Sequence, residues 1–124
     1  MNIALWIVQG LLAVVFGASG VVKTSRDRKR LFDEGITWVE DFSAGAVRTI
    51  GVLEVLAAVG LILPAATGIV PVLTPLAAAG IALLMAGASA VHLRRGEFAF
   101  IGVTVGLLAL AVFVAWGRFG PYAF

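Results

Sequence analysis

The side chains that could do chemistry in this chain lie within apolar segments or at their edges. Glu54 lies near the middle of the second of four apolar segments, and Arg48 lies about one turn inside the start of the same segment. Lys23, Ser89 and His92 lie near the ends of two other segments. An ionisable group at membrane depth costs about 2.5–3.5 kcal/mol on insertion scales, so each of these groups needs a partner, a cavity or a function.

Glu54 is the strongest of these candidates because a carboxyl group at the centre of a bilayer is tolerated only when it is protonated or paired. The protonated acid can donate to a quinone or lipid carbonyl, and the ionised form can hold a cation or accept a proton. Arg48 is six residues away on a different helix face, so we expect the partner of Glu54 to lie on another helix. The sequence leaves the protonation state open.

A polar pocket near one end of the helices is the prediction that follows. Antiparallel helices would bring the polar residues of three segments into one layer above Glu54. The alternative is that the cations reach out to lipid headgroups while Glu54 is hydrogen-bonded for structural reasons. The predicted ligand-binding set is Glu54, Arg48, Lys23, His92 and Ser89, with Ser19 and Thr104 in the same layer.

Several kinds of reaction centre are missing from the sequence. The chain has no cysteine and one histidine, which excludes a thiolate nucleophile, a disulfide relay and a cysteine-ligated metal site. No glycine-rich phosphate loop, nucleophile elbow or metal-spaced cluster is present either. We therefore predict no metal site and no catalysis by this chain alone, and a redox role would need a bound cofactor, such as a quinone, or a partner protein.

The composition is that of a membrane protein. Of the 124 residues, 61% are hydrophobic and 13% are charged, and the mean hydropathy is +1.08. A soluble domain of this size needs more polar surface. The excess of Lys and Arg is typical of the cytoplasmic loops of membrane proteins, so we expect contact with membrane lipid and no nucleic-acid partner.

Four apolar segments are long enough to cross a bilayer, which takes about 20 residues. The first has no basic residues before it and is predicted to be a retained span instead of a secretory signal. The short later connections force neighbouring helices to be antiparallel, so the chain is predicted to be a single all-α domain, an integral membrane four-helix bundle. The predicted spans are residues 2–22, 44–63, 72–91 and 98–116.

The connection between the first two spans is long and rich in charge. Ser25 is predicted to cap a short helix that ends at Gly35. Apolar residues among the charges favour a helix lying in the membrane interface, and a solvated linker is the alternative. These apolar residues are Leu31, Phe32, Ile36, Trp38, Val39 and Phe42.

The basic residues predict the orientation of the chain. Seven of its nine Lys and Arg residues lie in the first and third connections, which share one side of the membrane because an even number of spans separates them. The positive-inside rule places that side in the cytoplasm and both termini outside it.

Small residues recur within the spans and predict close helix contacts. The sequence leaves open whether these contacts lie within one bundle or join copies in a homo-oligomer. The glycines concerned are Gly10, Gly17, Gly80, Gly87, Gly102 and Gly106.

The chain also resembles the DoxX-like family of small bacterial membrane proteins along nearly its whole length. The segments that carry the resemblance are Gly17-Ala-Ser-Gly20 followed by Lys23, Trp38-Val-Glu-Asp41, Gly51-Val-Leu-Glu54 and onward to Pro64, Leu73-Thr-Pro-Leu76, and Val91-His-Leu-Arg-Arg-Gly-Glu97.

The resemblance implies a four-helix membrane bundle in which Glu54 is the carboxylate of the family's Gly-x-x-Glu pattern. Some relatives are linked to quinone-coupled sulfur oxidation, and others are proposed membrane partners of soluble redox enzymes. The implied function is an accessory subunit that holds a quinone or lipid, or that anchors a redox partner. More distant four-helix relatives, the sterol-isomerase group, hold lipophilic cations through buried carboxylates, which is an analogy of fold alone.

Two other functions stay open at this point. The chain could be a purely structural scaffold that docks a soluble partner through its cytoplasmic connection. It could also be a small oxidoreductase or transporter subunit.

Overall fold

The computed structural model describes residues 1–123, and every regular element in that range is a helix. The connection after the first long helix contains a short α-helix and a 3-10 helix, Thr37–Asp41. All four long helices are long and apolar enough to cross a membrane, which confirms the predicted fold class. The α-helices are α1 (Asn2–Ser25), α2 (Arg28–Asp33), α3 (Ala44–Thr67), α4 (Leu73–Arg94) and α5 (Phe98–Phe119).

The four long helices form one bundle in which α1 packs on α3, α3 on α4, α4 on α5, and α5 back on α1. Leu5, Leu12, Leu61 and Ile81 are fully buried in its core. Large apolar side chains also cover the outer faces, which suits lipid as the surrounding solvent. We name the two ends of the bundle for what they carry: the basic end, where α1 and α4 end, and the terminal end, which holds the N-terminus and the end of α5.

Each long helix begins within one residue of its predicted start and ends three or four residues beyond its predicted end. In α3 the helix continues through Pro64. Because proline has no amide hydrogen, the carbonyl of Gly60 loses its usual helical donor. The Thr74 hydroxyl donates to that carbonyl at 2.9 Å. This bond from α4 supplies the missing donor, and the helix continues beyond the end of the predicted span.

Helices α1 and α3 approach each other closely at Gly20 and Gly51. A Cβ atom added to Gly20 would lie 2.5 Å from the carbonyl oxygen of Gly51, so any larger residue would force the backbones apart. Among the predicted glycines, Gly17 faces Ala58 at 3.6 Å. A Cβ atom added to any of the others would meet no neighbouring side chain or helix within 4 Å: Gly10, Gly80, Gly87, Gly102 and Gly106. Those five do not join helices within the bundle.

Residues 26–43, hereafter the cap, fold over the basic end of the bundle. Leu31 and Val39 are fully buried there against Val47 of α3. Ile36, Trp38 and Phe42 pack around this cluster, together with Val22 of α1. The apolar side predicted for this segment therefore packs on the helices, and the segment is not a solvated linker.

The capping residue of α2 differs from the prediction. Asp27 is the N-cap, and its carboxylate accepts a hydrogen bond of 2.7 Å from the backbone amide of Arg30. Ser25 instead donates to the carbonyl of Val21, because α1 continues to that residue. Gly35 follows the end of α2 with a φ of +98°, a conformation that glycine adopts without strain.

Candidate functional site

Lys23 and Glu54 form an ion pair between α1 and α3, with 2.6 Å between Nζ and Oε1. The Glu54 side chain is 2% exposed and that of Lys23 is 13% exposed. Gly20 and Gly51 lie three residues before the two partners, and their close contact brings the two backbones within reach of one salt bridge. The prediction that Glu54 finds its partner on another helix is confirmed.

The ammonium group of Lys23 also lies over the ring of Trp38 in the cap, 5.2 Å from the ring centroid. Trp38 in turn packs edge-on against Phe42, with 5.5 Å between centroids and an interplanar angle of 84°. A cation over an indole face is attracted by the ring quadrupole. Lys23 is therefore held between a carboxylate and an aromatic ring, and the cap supplies the second contact.

The ion pair borders a cavity of about 510 Å³ near the basic end. Small-molecule sites commonly occupy about 300–1,000 Å³ and are mostly apolar with a few polar groups. This cavity has both the volume and the kind of lining that such sites have. Its polar lining residues are Ser19, Lys23, Glu54, His92 and Thr104, and its apolar walls include Phe16, Trp38, Leu84, Met85, Val91 and Leu107.

The cavity opens sideways through the bundle. Its lining residues Leu83, Phe100 and Val103 are respectively 77%, 48% and 59% exposed on the outer faces of α4 and α5. At the terminal end α1 and α5 are in close contact, since a Cβ atom on Gly117 would lie 2.7 Å from the side chain of Leu5. The basic end is covered by the cap. The exposed residues therefore mark an opening on the apolar flank of the molecule.

His92 lines the cavity at the end of α4 and is 7% exposed. Its Nδ1 lies 3.0 Å from Oε1 of Glu97, and its ring stacks on Phe100 at 5.1 Å. Ser89 lies one turn earlier, where its hydroxyl bonds that of Thr104 at 2.8 Å. Thr104 lines the cavity and Ser89 does not, so Ser89 supports a lining residue from behind.

Arg95 fastens the cap to the turn between α4 and α5. Its guanidinium contacts Glu40 at 2.7 Å, Asp41 at 2.6 Å and Glu97 at 3.1 Å. The hydrogen bond to Asp41, followed by that to Glu40, raises the pKa of Arg95. The hydrogen bond that Thr37 donates to Glu97 at 2.7 Å, with a smaller one from His92, lowers the pKa of Glu97 although burial opposes it. Both groups therefore stay charged.

A model of the DoxX-like family matches residues 7–114. The match spans most of the chain and includes the ion pair, the cap and His92. The chain belongs to the DoxX-like family. Together with the four apolar helices, this membership makes the chain a multi-pass membrane protein. Searches of curated proteins and of solved structures gave no significant match.

In this DoxX-like protein the predicted ligand-binding residues are only partly brought together. Lys23, Glu54 and His92 line one cavity. Arg48 is exposed and does not line it, because six residues of α-helix turn it to another face of α3 than that of Glu54. Trp38, which holds Lys23, was expected only to add to the apolar side of the first connection. No pattern in the sequence around Trp38 indicates that this residue of the first connection contacts a side chain of α1.

A second polar cluster holds the DoxX-like bundle together at the terminal end. Gln9 donates to the carbonyl of Leu61 at 2.8 Å and accepts a bond of 2.8 Å from Nε of Arg118. Arg118 is 3% exposed and also donates to Oδ1 of Asn2 at 2.6 Å. These bonds join α1 to both α3 and α5. Gln9 therefore makes interhelical hydrogen bonds to two neighbouring helices.

Proposed function

We propose that this DoxX-like protein is a membrane-embedded binding subunit that holds a lipophilic small molecule, a quinone or a lipid, beside Lys23 and Glu54. The observation that carries the proposal is a buried ion pair in the wall of an apolar cavity of about 510 Å³. Removing two charges from water is costly, and apolar residues of similar volume often stabilise a fold as well or better. Stability alone therefore does not explain why the ion pair is buried there, whereas a role in ligand binding does.

The charges at the site favour a neutral ligand. Because Lys23 and Glu54 neutralise each other, the cavity offers no uncompensated carboxylate for a lipophilic cation. The ammonium group has further N–H donors beyond the one directed at Glu54. Oε2 of Glu54 accepts no hydrogen bond from residues 1–123. A polar group of an otherwise apolar molecule can therefore bond both partners, and this role requires no catalysis by the chain itself.

The orientation of the molecule belongs to the same proposal. We place the basic end and the cap in the cytoplasm and both termini outside it, on the support of seven basic residues in two connections. The resemblance to small bacterial membrane proteins supports a bacterial plasma membrane. A reporter that is active only in the cytoplasm should be inactive when fused to the C-terminus. An active C-terminal fusion would show that the orientation is the reverse of the one proposed, and the proposal for the cavity would be unaffected.

The ligand proposal is tested by what copurifies with the protein. Mild extraction from native membranes followed by mass spectrometry should find a quinone or a specific lipid enriched over the bulk membrane. The double variant Lys23→Met/Glu54→Gln, which removes both charges and keeps similar volumes, should lose that enrichment. The exposed Arg48→Gln is the matched control and should keep it. Equal enrichment in the double variant and the wild type would refute the proposal.

A second candidate function is the docking of a soluble partner on the cap. The observation that favours it is Phe32, which is 40% exposed on α2 beside the exposed Arg28 and Lys29. Crosslinking in native membranes should then capture a stoichiometric partner that is lost in Phe32→Ser and kept in Arg48→Gln. The binding of a redox partner and the association of copies of this chain into a homo-oligomer are still predictions.

A further inference from the structure

His92 lines the cavity, and only one of its two ring nitrogens is engaged by the described part of the protein. Nδ1 is engaged by Glu97 at 3.0 Å, and Glu97 does not line the cavity whereas His92 does. The ring is fixed in this orientation by stacking on Phe100, at an interplanar angle of 22°. The opposite ring edge, which carries Nε2, is the one turned away from Glu97. No donor among residues 1–123 bonds Nε2.

Glu97 determines which of the two nitrogens carries the proton. Its Oε2 accepts from Thr37 at 2.7 Å and its Oε1 accepts from Nε of Arg95 at 3.1 Å. These contacts keep the carboxylate ionised, in line with its lowered pKa. An ionised carboxylate only accepts hydrogen bonds, so Nδ1 of His92 is the donor. In the neutral imidazole the other nitrogen, Nε2, is then a bare acceptor.

Glu54 adds a second acceptor to the lining. Oε2 of Glu54 is a second acceptor without a donor from the described part of the chain. The hydroxyl of Thr104 is already engaged with Ser89 and the carbonyl of Ile101. Lys23 is the one cationic donor in the lining. The cavity thus combines three kinds of donor, the ammonium group of Lys23, the hydroxyl of Ser19 and the indole N–H of Trp38, with two acceptors that await a donor from the ligand.

We propose that the cavity selects lipophilic molecules that carry a hydroxyl group, and that His92 accepts the hydroxyl hydrogen through Nε2. The inference rests on the proposed function and names the ligand class of the same site: phenols, hydroquinones and lipid alcohols in preference to their ether or carbonyl counterparts. An ether or carbonyl oxygen cannot donate, so it leaves Nε2 unpaired. A lost hydrogen bond of this kind lowers affinity by about tenfold or more.

The direct test compares two probes of similar size, 2-naphthol and its methyl ether, 2-methoxynaphthalene. In the ether a methyl group replaces the hydroxyl hydrogen, so the ether cannot donate a hydrogen bond. Binding to the full chain in lipid nanodiscs is measured above that of empty nanodiscs. We expect 2-naphthol to bind about tenfold more tightly. His92→Phe keeps an aromatic ring beside Phe100 and should shrink the ratio to about twofold, whereas Arg94→Gln, an exposed neighbour on the same helix, should leave it unchanged.

The outcomes separate the two proposals. If both probes bind the wild type equally, or if His92→Phe folds and keeps the full ratio, the proposed hydroxyl preference is wrong. The proposal that the protein is a ligand-binding subunit is not affected by that result. If neither probe binds above empty nanodiscs and no quinone or lipid copurifies with the protein, the proposed function fails and this inference fails with it.

A second measurement does not depend on any variant. The chain has one histidine, so the ¹⁵N NMR spectrum of histidine-labelled protein reports His92 alone. We expect a protonated Nδ1 and an unprotonated Nε2, and we expect 2-naphthol to shift the Nε2 signal while 2-methoxynaphthalene does not. A proton on Nε2 in the unliganded protein would overturn the proposal, because that nitrogen would then be a donor.

Discussion

Thr37 in the cap donates a hydrogen bond of 2.7 Å to Glu97, which lies 60 residues further along the chain on the turn between α4 and α5. Glu97 also contacts His92 in the cavity wall and Arg95, which holds Glu40 and Asp41 of the cap. One carboxylate therefore links the cover of the cavity to its lining. The charge state of this carboxylate should affect both.

The stability of the protein should depend on pH through Glu97. Its folded-state pKa is lowered below the ordinary value of 4.5, so its contribution is fully present above that value and is lost as the pH falls through the lowered folded-state pKa. Thr37→Val removes the main cause and should return the pKa toward 4.5. Unfolding midpoints of both proteins, measured in detergent from about pH 6 to about pH 3, should differ most above 4.5 and converge at the acid end. Parallel curves would contradict this assignment.

Arg95 should hold the cap against the bundle. Arg95→Gln removes its contacts with Glu40 and Asp41, and chymotrypsin should then cleave the aromatic residues of the cap roughly three to ten times faster, because local opening exposes them. Arg94→Gln is the matched control, since Arg94 is exposed and makes no ion pair within residues 1–123. Equal cleavage of the two variants would show that the apolar cluster alone retains the cap.

Lys23 and Glu54 should show strong thermodynamic coupling. Glu54→Gln or Lys23→Met alone leaves one polar partner buried, and breaking a buried pair in this way costs about 3–5 kcal/mol of unfolding free energy. The double variant removes both charges and should lose much less than the sum of the two single losses. Denaturant unfolding of all four proteins in one detergent measures the coupling. Additive losses would mean that the two side chains stabilise the fold independently.

Gly20→Ala should weaken the contact between α1 and α3. Its Cβ would lie 2.5 Å from the carbonyl of Gly51, so the helices must shift, at a cost of about 1–3 kcal/mol. Gly102→Ala meets no atom within 4 Å and should be neutral or stabilising by up to about 1 kcal/mol, because alanine is the better helix former. If both variants unfolded at the same denaturant concentration, the tight contact would have no energetic consequence.

The sequence predicted those features that depend on hydropathy and on the spacing of single polar residues. The four apolar runs gave the helix starts within one residue, because a bilayer sets the length that a spanning helix needs. The antiparallel order of the helices placed Lys23, Glu54 and His92 in one layer. The six-residue separation within α3 also excluded Arg48 as the local partner of Glu54.

Features that depend on contacts between distant segments could not be predicted in this way. The meeting of Gly20 with Gly51 depends on the relative position of two helices, which spacing within one helix does not reveal. The continuation of α3 through Pro64 depends on a hydroxyl of α4. The same holds for Trp38, whose role is visible only once the cap lies over the ammonium group of Lys23.

The sideways opening of the cavity affects how occupancy should be measured. A ligand that arrives from the hydrocarbon has already left water, so the hydrophobic transfer free energy belongs to partitioning into the bilayer and not to binding. Selectivity then comes from hydrogen bonds and packing inside the cavity. Occupancy is set by the mole fraction of the ligand in the lipid. A compound that is enriched about a thousandfold in the lipid therefore reaches a given occupancy at an aqueous concentration about a thousandfold lower than it would need without that enrichment. Titrations should therefore be expressed per lipid molecule.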